Sequence, residues 1–130
     1  MIVDRSALIA IIIDEAECDA LALDIVAEGA AEMFAASDVE CALRLDGQLS
    51  EGQDARLDAT ISGLGIITAP VTEQQARLAR RAFEMFGKGR HPADLNFGDC
   101  LSYALAKASG RRLLYKGNDF IKTDLGQRRA

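Results

Sequence analysis

The stretch MIVDRSALIAIII, residues 1–13, sets an apolar triplet, an aspartate and an aliphatic run next to one another. Met1, Ile2 and Val3 read as a short buried strand, and Asp4 stands at its carboxyl end. Ser6 is placed to cap a helix that begins at Ala7, which leaves Asp4 without a capping role. The order is therefore strand, acid, helix.

The alternation continues along the chain. Leu21, Leu23, Ile25 and Val26 among acids make residues 18–28 an amphipathic helix, and Gly29 stops it. Residues 31–35 form a short strand around Met33 and Phe34, Ser37 caps a third helix through Leu45, and a fourth runs over 53–61 and ends at Gly63. The β-branched run at 65–70 is closed by Pro70 and reads as a third buried strand. Thr72 and Gln75 have capping-box spacing for a helix over 73–86. A polar loop over 87–96 follows, then a helix over 97–108 capped by Asn96 and ended by Gly110, and a strand over 112–115. A weak fifth strand falls near Asp124.

Short apolar strands alternating with helices imply an α/β fold: an open parallel sheet covered on both faces. At 130 residues and 49% hydrophobic content the chain reads as one domain over 1–130, able to build a core without disulfides or a structural metal. Cys18, Cys41 and Cys100 lack Cys-x-x-Cys spacing and are expected as buried, reduced thiols, and the lone His91 rules out a multi-histidine metal site. The longest aliphatic run, residues 8–13, is far below the ~20 residues a membrane span needs, and no basic segment precedes it. No membrane association and a cytoplasmic location are the expectation. Residues 1–76 hold 3 basic and 15 acidic side chains, whereas 77–130 hold 12 and 5, so the expected field is bipolar within a net charge of −5. The alternative is ordinary solvated helix faces.

Ligands of such sheets gather beyond the carboxyl ends of the strands. Asp4 ends the first strand, Asp119 follows the last strand, and Glu40 and Asp99 lie in first turns of helices. If the four converged, each pair at ~4 Å would repel by about 4 kcal/mol at an effective dielectric of about 20, so a cation would hold them together. Oxygen donors select Mg2+ or Mn2+, which suit phosphodiester hydrolysis. Each acid also has a local explanation. Glu40 stands three after Ser37 and Asp99 three after Asn96, both capping-box spacings, while Asp119 in Gly-Asn-Asp-Phe fits a turn. Spacing alone leaves both readings open. The Gly-Lys-Gly-Arg of 87–90 follows a helix rather than a strand, and Gly63 and Gly65 precede one, so neither is a nucleotide fingerprint.

The segments MIVDRSALIAII at 1–12, GKGRHPADLNFGDCLSYALAK at 87–107 and LLYKGNDFIKTD at 113–124 resemble the PIN-domain ribonucleases, and within them the VapC toxins of bacterial type II toxin–antitoxin systems. The middle segment carries most of the likeness, through Asn96, Gly98, Asp99 and Ala104 after the Gly-Lys-Gly. The resemblance implies a three-layer α/β/α PIN-like domain with a parallel sheet of four or five short strands. It also implies an Mg2+-dependent endoribonuclease, with Mn2+ able to substitute. By the same resemblance Asp4, Glu40, Asp99 and Asp119 would bind the metal and position the hydrolytic water. Asp124 with Thr123 would be auxiliary, Ser6 would hydrogen-bond within the site, and Asn96 would shape the helix start that presents Asp99. Implied partners are RNA, a cognate VapB-type antitoxin and a second copy in a homodimer.

The apolar stretches 8–13 and 21–26 are candidate groove walls for an antitoxin, or simply core. Arg77, Arg80, Lys88, Arg90 and Lys116 are the basic candidates for guiding RNA. One position departs from the resemblance: Arg5 stands where the family usually has a small hydroxyl residue. It either pairs with the acids beside it or snorkels to solvent. The alternative function is therefore a catalytically weakened PIN-fold module that mainly binds a partner.

Overall fold

A computed structural model of the chain describes residues 1–47 and 52–126. Its strands are β1 (Ile2–Val3), β2 (Ala31–Phe34), β3 (Ile66–Ala69) and β4 (Leu113–Leu114). They form an all-parallel sheet in the order β3-β2-β1-β4, with Ile2 opposite both Glu32 and Leu113. The helices are α1 (Arg5–Ile12), α2 (Cys18–Glu28), α3 (Ala35–Leu45), α4 (Gln53–Gly63), α5 (Glu73–Phe86) and α6 (Phe97–Ser109).

Strand periodicity divides the core in two, because successive side chains leave a sheet on opposite faces. Ile2, Phe34, Leu113 and Tyr115 pack with α5, α6, Phe120 and Leu125. Met1, Val3, Ala31, Met33 and Leu114 pack with residues of α1, α2, α3 and α4. The result is three layers, α/β/α, as expected from the alternation. Gly29 and Gly110 end α2 and α6 in the left-handed conformation, at φ of 75° and 66°, where a Cβ would be strained.

Several local expectations change. Helix α1 starts at Arg5, and its cap is Asp4, whose carboxylate accepts the Ser6 N–H at 3.0 Å; Ser6 is not the cap. Helix α3 starts at Ala35 directly from β2, so Ser37 lies inside it, buried, and forms no capping box with Glu40. Strand β3 is an edge strand: Ile66 is buried, Ile67 and Thr68 are exposed and Ala69 is only partly covered, so the run at 65–70 is not the buried strand expected. Near Asp124 the chain forms a single 3-10 turn, Phe120–Lys122, and no strand among the described residues. The polar loop at 87–96 carries two fully buried residues, Ala93 and Leu95, and bridges Gly87 to Leu95. Cys41 and Cys100 are buried, Cys18 is only partly so, and all three are free thiols.

Three basic side chains of the second half fold onto acids of the first. Arg111 pairs with Glu32 at 3.1 Å, Arg112 with Glu28 at 3.8 Å, and Lys116 with both Glu15 and Glu17. Among the described residues no helix is long and apolar enough to cross a membrane.

In the stretches 8–13 and 21–26 the core reading holds for Leu8, Ile12, Leu21 and Ile25, while Leu23 and Val26 face solvent. Leu8 is 1% exposed and Leu23 68%. Chemical denaturation should therefore separate them: Leu8→Ala should lose about 2–5 kcal/mol of stability, and Leu23→Ala less than about 0.5 kcal/mol. Equal losses would contradict this packing.

Candidate active site

The chain runs β1, β2, β3 in one direction across the sheet and then crosses to place β4 on the other side of β1. The carboxyl ends of β1 and β4 therefore flank the switch in strand order, where an open α/β sheet leaves a crevice. Asp4 follows β1 directly, and its N–H donates to the Leu114 carbonyl at 2.9 Å. Across the same seam the Lys116 N–H donates to the Ser6 hydroxyl at 3.0 Å.

The Asp4 carboxylate is 1% exposed and accepts three hydrogen bonds. Ser6 supplies two, from its N–H at 3.0 Å and its hydroxyl at 2.6 Å, and Ser102 of α6 supplies the third from its hydroxyl at 2.6 Å. Ser102 was not among the residues singled out by sequence. Its only signal is its place three residues, nearly one helical turn, beyond Asp99, within a segment that otherwise reads as core.

Asp99 sits in the first turn of α6 and is held by the expected capping box. Asn96 accepts the Asp99 N–H, and Asp99 Oδ2 accepts the Asn96 N–H, both at 3.0 Å. Burial pushes the Asp99 carboxyl up to about 7, the Asp4 charge adds to the rise, and Asp119 adds further; the Asn96 N–H and Arg5 oppose it. Glu40 is likewise raised, first by burial and then by Asp4, against the pull of Arg5. Its carboxylate lies against the start of α6 in the space a Cβ on Gly98 would take, so a larger residue there would push the Glu40 carboxylate aside. Glu40 Oε1 is buried with no hydrogen-bond partner among the described residues.

Arg5 is the cation of this crevice. Its guanidinium lies 3.2 Å from Glu40 Oε2 and 3.7 Å from Asp99 Oδ1, with the side chain 24% exposed. Of the two orientations open from the sequence, pairing with the acids is the one adopted. The reason is that α1 begins at Arg5: the backbone turns into a helix there, and the strand rule that sends neighbours to opposite faces no longer applies.

The remaining predicted residues stand further out. Asp119 is exposed at the start of the 3-10 turn and reaches the cluster through its charge on Asp99. Asp124 is turned to α6, accepting from the Tyr103 hydroxyl at 2.9 Å and from Lys107 Nζ at 2.8 Å. Burial raises its pKa, but these two donors outweigh that and hold it below the ordinary value. Thr123 spends its hydroxyl within the loop, donating to the Phe120 carbonyl and accepting the Leu125 N–H.

The donor set is all carboxylate oxygen, which suits a hard divalent cation. Among the described residues no three His, Cys, Asp or Glu side chains are arranged to hold a metal ion as they stand. The arrangement explains this: Asp4 is turned to two serines, Asp99 Oδ2 to its cap, and Glu40 to Arg5. The orphaned Glu40 Oε1 nonetheless leaves a buried oxygen acceptor beside the Asp4 and Asp99 carboxylates with nothing to satisfy it, so the residues fit such a cation.

The basic candidates are dispersed. Arg80 and Arg90 line an apolar hollow of about 600 Å3 between α5 and α6, with Phe83, Phe97 and Leu101. At about 100° per residue, Phe97 and Leu101 leave α6 on the side away from Asp99 and Ser102, so this hollow does not open into the crevice. Arg77 pairs with Glu73 at 2.6 Å, and Lys88 is exposed in the turn after α5. Lys116 alone is joined to the crevice, through its backbone.

A model of the PIN domain matches residues 1–125. The chain is 49% identical over 124 residues to Ribonuclease VapC28 of Mycobacterium tuberculosis, covering 95% of this chain and 93% of that protein. It is 40% identical over 125 residues to Ribonuclease VapC of Mycolicibacterium smegmatis, covering 96% and 97%, and 36% identical over 126 residues to Ribonuclease VapC36 of M. tuberculosis, covering 96% and 91%. With the three-layer parallel fold and an acidic crevice at its strand switch, these likenesses run over nearly the whole chain: it belongs to the PIN-domain family, and within it to the VapC group.

Proposed function

We propose that this chain is an Mg2+-dependent endoribonuclease, with Mn2+ able to substitute, that hydrolyses RNA phosphodiester bonds as the toxin of a VapBC pair. The observation that carries the reading is the carboxylate cluster at the switch point, buried Asp4 and Asp99 with half-buried Glu40 and one of its oxygens unpartnered, in a chain of the VapC group. Asp4, Glu40, Asp99 and Asp119 would hold the cation. When bound, it supplies activation of water and charge neutralisation at the scissile phosphate.

The chain's own part is to hold those carboxylates ready. The three donors on Asp4 fix the orientation of its carboxylate at the end of β1. Ser6 and Ser102 are thus positioning residues, and Asn96 does the same for Asp99 through the capping box. Asp124 and Thr123 act further out, fixing the segment that presents Asp119 to the C-terminal part of α6. Membership of the VapC group supports a VapB-type antitoxin as partner, and a homodimer is part of the same proposal.

A second reading, a PIN-fold module that acts mainly by binding, is favoured by the Arg5 ion pairs and by the apolar hollow across α6. RNA cleavage that requires the cation and stops on chelation selects the first reading; binding without cleavage selects the second.

Asp99→Asn should reduce cation-dependent RNA cleavage by ~100-fold or more, because it removes a charged ligand while the amide oxygen can still accept the Asn96 N–H. The fold should hold, since one carboxylate fewer relieves repulsion in the cluster. Cleavage within about twofold of the unmodified chain would remove Asp99 from the site.

The raised Asp99 carboxyl also sets a pH dependence for the cation-free protein. Its ordinary value is 3.8 and its folded value about 7, so the folded chain holds a proton that the unfolded chain releases between them. The contribution of this carboxyl to stability therefore falls as pH rises through that window and levels off above it. With chelator present, the melting temperature should drop between about pH 5 and about pH 7 by more in the unmodified chain than in Asp99→Asn. Parallel curves would assign the dependence to another group.

A further inference from the structure

Arg5 does something that neither the fold nor the proposed chemistry requires. It is the first residue of α1, where the helix dipole disfavours a cation, yet its side chain is three-quarters buried. It reaches two other helices at once, Glu40 of α3 and Asp99 of α6. What holds it in an unfavourable place is the acid cluster itself.

The oxygens it occupies are the ones left over by the rest of the site. Asp99 Oδ2 is committed to the Asn96 N–H, so Oδ1 is the oxygen free for a cation, and Oδ1 is what the guanidinium faces. Glu40 Oε2 takes the Arg5 hydrogen bond at 3.2 Å while Oε1 stays unpartnered. The fit is incomplete in a particular way. The contact to Asp99, at 3.7 Å, is too long for a hydrogen bond, and a single positive charge faces several carboxylates. A compact divalent ion would satisfy the same oxygens better, but it and the guanidinium cannot both sit between Glu40 and Asp99.

We propose that Arg5 is a resident counter-ion of the acid cluster, which stabilises the cation-free protein and which a divalent cation must displace from Asp99 in order to bind. The inference rests on the proposed cation dependence of the site. It makes the chain's need for metal a property set by its own residue 5: the pairing lowers the free energy of the empty site, and every increment of that lowering weakens cation binding by the same factor. A merely structural arginine would not move the two quantities in opposite directions.

The test is calorimetric titration of Mn2+ into the full chain and into Arg5→Gln and Arg5→Lys, with melting of each in chelator. Arg5→Gln keeps most of the stem and removes the charge. It should bind Mn2+ about tenfold more tightly, the factor expected for one lost charge-assisted pair, and should melt at a lower temperature when cation-free. Arg5→Lys, which keeps the charge without the fork, should fall between. Equal Mn2+ affinity in the unmodified chain and Arg5→Gln would overturn the counter-ion role while leaving the cation-binding reading in place. Weaker binding by Arg5→Gln would overturn it too, making Arg5 an organiser of the ligands. Absence of Mn2+ binding in all three proteins would overturn the cation-binding reading and the counter-ion with it.

Discussion

A buried carboxylate at the end of a central strand is the constraint on which the structure turns. Asp4 is 1% exposed, and a charge so far from water must be met by donors or be neutralised. Its donors come from two places distant in sequence, Ser6 at the start of α1 and Ser102 in the middle of α6. Satisfying one side chain therefore fixes α1 and α6 against the same strand end. The Ser6 hydroxyl, which accepts from the chain just after β4, ties in the third wall of the crevice. A cap, a tertiary staple and the floor of the site are the same set of atoms.

Helix α6 carries the other half of that arrangement. Nine consecutive residues, Gly98 to Ala106, are buried, so the helix is covered nearly all round and is placed rigidly on the sheet. Its N-terminal turn presents Asp99, its next turn presents Ser102 to Asp4, and its C-terminal half holds Asp124 through Tyr103 and Lys107. Gly98 leaves room for Glu40 to close from α3. An exposed loop could not hold four polar groups in register this way, because nothing would fix its backbone.

The charges follow the same logic of folding one half onto the other. The acid-rich first half and base-rich second half are separated in sequence, yet parallel pairing of β4 beside β1 brings Arg111 and Arg112 next to Glu32 and Glu28. These pairs are partly exposed, and each contributes little to stability. Their effect is on the field: the cations they consume are no longer available to draw in a polyanion. Within the crevice, by contrast, Arg5 is the single cation that pairs with the buried acids among the described residues.

The sequence by itself determined the layer architecture and most of the helix ends. Strand-length apolar runs alternating with capped amphipathic helices admit few other folds, and capping is local chemistry: the Asn96–Asp99 and Thr72–Gln75 boxes and the glycine stops at 29 and 110 are settled within a few residues. It also singled out Asp4, Asp99, Glu40 and Asp119 as acids near strand ends, although Glu40 lies beyond the first turn of α3, where the acid is Asp38. Where it misled, long-range packing overrode a local signal. Ser6 and Ser37 look like caps, but α1 and α3 begin earlier, since each preceding strand runs straight into its helix. Only the tertiary structure decided that β3 is an edge, that Ser102 belongs to Asp4 and that Arg5 turns inward. These depend on which segments meet across 35 or 98 residues of chain, and no spacing along the sequence encodes such a meeting.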